Sequence, residues 1–217
     1  AGAVAKELLK HQNIDVYAFT RRLGDIEIQS FDRDVIDQNS FLCPDAQAAE
    51  KMTEHVAAVK AAGDSLGGIV EIRATGVPAG LGEPVFDKLD ADLAKALMSI
   101  GAVKGVEIGS GFEAAGMKGS QHNDPITPEG FASNNAGGIL AGISNGNEII
   151  VRVSVKPIPS IGLSQDTVNM HGRPTKLSVH GRHDISAIPR INVVCEAMVW
   201  LVIADHFLRQ NTTLSAK

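Results

Sequence analysis

The order in which helical and strand-like patterns follow one another is the feature of this sequence that most restricts its fold. Helical spacing of apolar residues covers residues 1–11, Ala46–Ala62, Pro84–Ile100 and Ile188–Gln210, and strand-like patterns cover Ile14–Thr20, Asp25–Gln29, Gly68–Val77, Val103–Ile108, Glu148–Val155 and Thr175–Val179. Because helices and strands do not alternate strictly, an α+β fold with antiparallel sheets is favoured over a doubly wound parallel sheet. No charged linker or fixed-period repeat divides the chain, so we expect one domain over residues 1–217.

Charge and composition argue against several classes of protein. The formal net charge is −5, whereas nucleic-acid-binding domains usually carry a basic face, so we expect no nucleic-acid partner. No run of about 18 apolar residues is free of charges, so we expect no membrane span. The closest run, residues 191–204, contains Glu196. Cys43 and Cys195 lie far apart without a CxxC partner and no secretory signal is visible, which indicates buried, reduced thiols in a cytoplasmic protein.

A cation, an imidazole and a carboxylate stand side by side at Arg182-His183-Asp184, between Gly181 and the apolar helix that follows. Folds often build sites from such groups at the end of an element, although a solvated surface ion pair is the alternative for a short charge cluster. Together with His171 and His180, the cluster could also supply metal ligands. We expect no metal, because no further carboxylate or cysteine lies nearby in the sequence.

Two other segments suggest ligand contacts. Gly109-Ser110-Gly111-Phe112-Glu113-Ala114 follows a predicted strand and matches a variant dinucleotide fingerprint, but further glycines interrupt the helix that should come next. Lys156-Pro157-Ile158-Pro159-Ser160 places a cation and a hydroxyl on a backbone restricted by two prolines, which suits an anionic ligand. The small-residue loop at 135–142 would let backbone amides approach a phosphate or a flat ring, or would simply form a turn.

Six blocks together resemble the chorismate synthase family in their order and spacing, over essentially the whole chain. They are Gly76–Phe86, Lys88–Asp92, Val103–Gly109, Ser133–Ile139, Lys156–Ile161, and Gly181–Asp184 with Glu196-Ala197. The resemblance implies helices sandwiched between antiparallel β-sheets, a homotetramer, and a lyase of the shikimate pathway. Such an enzyme converts 5-enolpyruvylshikimate 3-phosphate to chorismate and phosphate by 1,4-anti elimination, and it requires reduced FMN without net redox change.

The resemblance also assigns roles to residues of this chain. Asp184 matches the aspartate credited with assisting proton transfer at the flavin. The residues that would hold FMN are Gly101, Ala102, Ala141, Lys156, Pro157, Ile158, Pro159, Ser160 and Arg182. The chain departs from the family where Gly101 replaces a usual asparagine, Ala141 a frequent glycine, and Ile185 a common proline. A backbone contact survives such changes, but a side-chain contact at Gly101 does not.

The family's N-terminal third has no counterpart in this sequence, which starts at Ala1 without methionine. That third carries both histidines credited with proton donation and the substrate-binding arginines, so we expect this chain alone to be inactive. The preferred hypothesis is a fragment of an active chorismate synthase. The alternatives are a non-catalytic FMN- or phosphate-binding module, an assembly element built on the apolar helix Ile188–Gln210, and a Rossmann oxidoreductase.

Overall fold

In a computed structural model of the protein, residues 1–179, 181 and 183–215 are described, with side chains as far as residue 212. The helices are α1 (Gly2–Lys10), α2 (Ala46–Ala62), α3 (Leu89–Met98), α4 (Gly119–His122) and α5 (Ile188–Ser215). The strands are β1 (Asp15–Leu23), β2 (Ile26–Glu27), β3 (Gly68–Thr75), β4 (Val103–Ile108), β5 (Ile126–Thr127), β6 (Gly130–Phe131), β7 (Ile139–Leu140), β8 (Ile143–Ser144), β9 (Ile149–Val155), β10 (Gln165–Val168) and β11 (Pro174–Leu177). Short 3-10 helices cover Arg33–Gln38 and Gly111–Gly116.

One five-stranded sheet in the order β2-β1-β3-β9-β4 organises the molecule, and all its pairings are antiparallel. One face of the sheet packs on the helices: Val70, Ile72 and Ala74 of β3 are buried there in the core cluster. Helix α5 packs against β1, β3, α1 and α3. The antiparallel α+β class predicted from the sequence is therefore confirmed. The large sheet covers one side of the helices. The other sheets in the described part of the chain are two-stranded.

The opposite face of the large sheet carries a buried carboxylate. Glu71 on β3 is fully buried, and its oxygens accept hydrogen bonds from Arg21 at 2.9 Å, Arg73 at 2.8 Å and Arg152 at 2.7 Å. Burial opposes its ionisation, but the hydrogen bonds and charges of Arg152 and Arg73 prevail and hold the pKa of Glu71 below its ordinary value of 4.5. Alternation along β3 thus places one residue set in the apolar core and the other in an ion cluster.

Most predicted element bounds agree with the structure, and two match it residue for residue. Helix Ala46–Ala62 begins where Asp45 caps its first turn and ends at Gly63, whose φ of 75° stops the helix. Strand Val103–Ile108 is the second match. The prediction of a helix from Pro84 was wrong, because α3 starts at Leu89. The preceding residues form a tight turn in which the amides and carbonyls of Glu83 and Asp87 pair with each other.

Residues 109–146, which lack apolar periodicity, form short helical turns and two-stranded ribbons joined by polar side chains. The carboxylate of Asp124 accepts bonds from the Ser133 hydroxyl and from the amides of Asn135 and Ala136. The dinucleotide fingerprint is not realised: Gly111–Gly116 is a 3-10 helix, and a Cβ at Gly109 would lie 2.2 Å from the Asn135 carbonyl. Gly109 is therefore packed against its own chain instead of facing a phosphate.

Helix α5 is the main apolar helix and runs beyond its predicted end at Gln210. Its Ile188–Thr212 portion is long and apolar enough to cross a membrane. This is weak evidence for a membrane span, because the core helix of a soluble protein passes the same test. Trp200 and Ile203 are buried in the core, whereas Val193 is 62% exposed. The expectation of no membrane span stays a prediction. Cys43 and Cys195 are both free and buried, as expected, and burial raises the pKa of the Cys195 thiol to about 12.

Candidate functional site

A cavity of about 610 Å³ lies where α2, the segment after β9 and the loop before α5 meet. Its volume is within the range of about 300–1,000 Å³ typical of small-molecule sites. Its walls combine apolar side chains with a few polar ones. The lining residues are Phe41, Val56, Lys60, Gly63, Asp64, Ser160, Ile161, Gly162, Val179, Gly181, His183, Asp184, Ile185, Ser186 and Pro189. Two residues to which the resemblance assigns roles, Ser160 and Asp184, therefore share one cavity.

Helix α2 supplies one wall of this cavity, and its position is fixed at both ends. At the N-terminus, the Asp45 carboxylate accepts bonds from the amides of Gln47 and Ala48, both at 3.0 Å. Burial opposes ionisation of Asp45, but its backbone hydrogen bonds prevail and lower its pKa to about 2. At the C-terminus, Lys60 lines the cavity. An ammonium group at the end of a helix is also stabilised by the helix dipole.

The Lys156–Ser160 segment leaves the sheet directly after β9 and runs towards the cavity. The Lys156 amide donates to the Ala102 carbonyl at 2.9 Å, so the predicted flavin segments at 101–102 and 156–160 are neighbours. The Ile158 carbonyl accepts a bond from the Ser65 hydroxyl at 2.6 Å. Of the five residues, Ser160 reaches the cavity wall, and the other four lie between it and the strand.

Asp184 stands at the cavity wall and is held by Arg190, which carries no sequence motif. Arg190, in the first turn of α5, donates to both carboxylate oxygens of Asp184, at 2.6 and 3.3 Å. The side chains are 43% exposed for Asp184 and 75% exposed for Arg190. The arrangement orients the carboxylate while leaving it open to solvent and to a ligand.

His183 also lines the cavity, and its Nε2 is buried without a hydrogen-bond partner among the described residues. A bound ligand with a polar group at this point would satisfy that nitrogen. Arg182, predicted to contact FMN, and His180 lie outside the described residues. No cluster of metal-ligating side chains is present in the described part of the chain, where His171 is exposed at the β10–β11 turn.

The remaining predicted contacts lie at the two ends of α3. Ala102 follows the helix, and Ala141 forms the turn between β7 and β8, where Gly142 accepts a bond from the amide of Leu89 at the start of α3. A helix of this length spans about 15 Å, so the structure does not bring these two alanines together. Both have positive φ, 73° for Ala102 and 51° for Ala141, a conformation that non-glycine residues adopt mainly at special sites.

Lys60 and Asp64, which line the cavity, and Arg190, which contacts Asp184 at its wall, were not predicted from the sequence. Lys60 belongs to the polar side of an amphipathic helix, where a lysine is ordinarily solvated, and Arg190 sits in the first turn of an apolar helix. No short motif distinguishes either residue. The loop Asp64-Ser65-Leu66-Gly67-Gly68 did carry a signal, because a hydroxyl among closely spaced glycines is typical of tight backbone contacts.

The family model for chorismate synthase matches residues 1–208. The chain belongs to the chorismate synthase family. It is 68% identical over 210 residues to a chorismate synthase from Desulfosudis oleivorans, covering 97% of this chain and 59% of that relative. It is 62% identical over 208 residues to the protein of the same name from Syntrophobacter fumaroxidans, covering 96% of this chain and 59% of that relative.

A solved structure of chorismate synthase has the same fold. It superposes with a TM-score of 0.80 at 33% sequence identity, and the match covers 96% of this chain and 61% of the solved one. The chain thus spans about three fifths of the length of the relatives it matches. The resemblance inferred from the six sequence blocks is confirmed, and the fold class is confirmed with it.

Proposed function

We propose that this chain is the flavin-binding part of a chorismate synthase, a lyase that converts 5-enolpyruvylshikimate 3-phosphate to chorismate and phosphate. The observation that carries the proposal is the cavity in which Ser160 and Asp184 meet, in a chain that matches the family model over residues 1–208. Reduced FMN, the cofactor that the resemblance implies, would supply the electron-rich ring system for the elimination. The proposed partners are this phosphorylated substrate and further copies of the chain in a cytoplasmic homotetramer.

The described residues of the cavity fit a hydrogen-bonding ligand. Lys60 brings positive charge to the cavity, Ser160 a hydroxyl, and His183 a buried ring nitrogen without a partner among the described residues. Because the carboxylates of Asp64 and Asp184 also line the cavity, these groups suit a polar ring edge better than a phosphate. Open space also lies beside Gly101, where an added Cβ would meet nothing within 4 Å. A ligand or another part of the protein has room at that position.

Within this proposal, Asp184 receives or relays a proton at its carboxylate and Arg190 orients it. The hydrogen bonds of 2.6 and 3.3 Å from Arg190 fix the plane of the carboxylate. The apolar lining residues Phe41, Val56 and Pro189 exclude water on one side of the cavity. Loss of the phosphate and of one hydrogen from the substrate ring also requires groups to donate protons, which the resemblance places outside this chain.

Flavin fluorescence titration, with and without 5-enolpyruvylshikimate 3-phosphate, tests the binding step. We expect FMN to bind the chain, and to bind more tightly with substrate when the rest of a family member is supplied. For turnover, the chain should be joined to the unmatched part of the Desulfosudis oleivorans relative, and chorismate formation should be followed with reduced FMN. Absence of flavin binding in that joined protein would contradict the proposal, and binding without turnover would favour a non-catalytic module.

Assembly can be measured on the same samples. Exposed apolar residues on α1 and α5, with Val4 at 75% and Val193 at 62% exposure, support self-association. Sedimentation equilibrium should give a tetramer. A monodisperse monomer at all concentrations would contradict this part of the proposal.

A further inference from the structure

The loop that follows α2 touches both segments that form the candidate site. We propose that this loop, residues 63–67, is the positioning element of the cavity, and that Ser65 acts as a positioning residue through the Ile158 carbonyl. The inference rests on the proposed function for its consequence in flavin binding. Its structural part, that the loop holds the Lys156–Ser160 segment, stands on hydrogen bonds within the described residues.

The loop itself is anchored to the end of α2. Gly63 adopts a left-handed conformation, and its amide donates to the carbonyls of Lys60 and Val59. The next amide, that of Asp64, also donates to the Val59 carbonyl at 3.1 Å. Two consecutive amides thus satisfy the free carbonyls of the last helical turn. Because α2 is capped at both ends, the loop has a fixed base.

From this base the loop contacts the Lys156–Ser160 segment at two points and the chain just beyond it at a third. The Ser65 hydroxyl donates to the Ile158 carbonyl at 2.6 Å, and the Gly162 amide just beyond the segment donates to the Gly63 carbonyl at 2.9 Å. Gly67 packs against Pro157 so closely that an added Cβ would lie 3.0 Å from the ring. Together, the three contacts hold the start, the middle and the far side of the segment.

The same loop also holds the segment that carries Asp184. The Leu66 amide donates to the Ile185 carbonyl at 2.7 Å, directly after Asp184 in the chain. Gly68, the first residue of β3, packs against Ile188 of α5, where an added Cβ would lie at 3.1 Å. The loop therefore joins two segments that are distant in sequence, and their separation sets the width of the cavity.

Ser65 is the member of the loop whose contribution can be removed without changing the backbone. Ser65→Ala deletes the hydroxyl and leaves the Ile158 carbonyl without that donor, whereas Ser65→Thr keeps a hydroxyl in the same place. Thr53→Ala is a matched control, because it removes a hydroxyl-to-carbonyl bond of 2.9 Å within α2, away from the cavity. A purely local stability effect should be similar in the two alanine variants.

The test combines amide hydrogen exchange with flavin titration on the intact protein. We expect Ser65→Ala to speed exchange at the Gly162 and Leu66 amides about fivefold and to weaken FMN binding by about the same factor, as loss of one hydrogen bond allows. Ser65→Thr should restore both, and Thr53→Ala should change neither. Unchanged exchange at both amides overturns the proposal, as does faster exchange with unchanged FMN affinity.

The two arms separate this proposal from the flavin assignment. If the unmodified protein binds no FMN, the proposed function fails. Exchange at Gly162 and Leu66 then decides by itself whether the loop holds the two segments. A faster rate in Ser65→Ala, restored in Ser65→Thr, supports the loop as the element that sets the cavity, and an unchanged rate rejects it.

Discussion

Two carboxylates in this chain are paired with arginine in opposite ways. Glu71 is fully buried on the large sheet and contacts three arginines, each within 2.9 Å. Asp184 is 43% exposed at the cavity wall and contacts one arginine that is itself 75% exposed. A buried carboxylate surrounded by charges cannot lose its partners without a large penalty, whereas an exposed pair exchanges them easily for water or a ligand.

The contrast distinguishes Glu71, whose charge holds the structure together, from Asp184, whose charge is available for chemistry. Glu71 joins β1, β3 and β9 through Arg21, Arg73 and Arg152, so it holds the sheet on which the site is built. Asp184 lies in a loop whose only described ion pair is with the helix that follows. A substitution at Glu71 should therefore act on folding, and one at Asp184 should act on the reaction.

The largest expected effect is the destabilisation caused by Glu71→Gln. Loss of the charge leaves three clustered arginines without their shared counterion, and breaking a buried pair costs about 3–5 kcal/mol. Because these arginines are 22–32% exposed, we expect the lower limit, about 3 kcal/mol, in the free energy of unfolding. Urea denaturation measures it. Asp184→Asn is the matched control and should change the free energy by less than about 1 kcal/mol. Equal losses in both variants would remove the distinction.

The second effect is on catalysis, where the substitution at Asp184 is the one expected to act. Asp184→Asn removes the group proposed to relay a proton, so turnover of the complete enzyme should fall about 100-fold or more. Flavin affinity should change much less, because the amide keeps the size and one acceptor oxygen of the carboxylate. Steady-state kinetics and flavin titration on the same variant separate the two quantities. Wild-type turnover would refute the relay role.

Sequence reasoning succeeded where the signal was local. The bounds of α2 could be read because Asp45 and Gly63 are capping residues that work within one helical turn. It failed at β10, whose four residues are all exposed and show no apolar alternation, and at the start of α3, where the turn is closed by a contact between Glu83 and Asp87. Glu71 and its partner Arg73 lie on the predicted strand Gly68–Val77, but the other partners, Arg21 and Arg152, come from β1 and β9, which only the fold brings together.

The candidate site shows the same limit. Ser160 and Asp184 were singled out by local chemistry and given roles by the family resemblance, and the structure places them in one cavity. The role of Ser65 depends on a long-range contact with the Ile158 carbonyl, and that of Arg190 on its contact with Asp184 across the start of α5. No short motif indicates either contact. The separation of Ala102 and Ala141 by the length of α3 likewise follows from topology alone.

The third effect is a loss of stability in acid that depends on Glu71. Its pKa is lowered below 4.5 in the folded state, so its contribution is fully present above pH 4.5 and is lost as the pH falls through the lower folded value. Asp45, with an ordinary pKa of 3.8 lowered to about 2, adds a further loss between these two values. Unfolding free energies measured from about pH 6 to pH 2 should decline less steeply in Glu71→Gln. An identical slope in wild type and variant would show that folding does not lower the pKa of Glu71.

The smallest expected effect is on stability when the exposed pair is broken. Arg190→Ala removes both hydrogen bonds to Asp184, yet exposed ion pairs contribute about 0–1 kcal/mol, so unfolding should change by about 0.5 kcal/mol or less. The comparison variant Arg152→Ala removes one contact to Glu71 and one to the Gly109 carbonyl, both at 2.7 Å, and should cost several times more.

Thermal unfolding of both variants at low and high salt measures the two losses of stability. Because the Asp184 pair is open to solvent, any loss in Arg190→Ala should vanish at high salt, whereas the loss in Arg152→Ala should persist. A large, salt-insensitive loss in Arg190→Ala would mean that Asp184 is held as firmly as Glu71, and its carboxylate would then be unavailable for proton transfer.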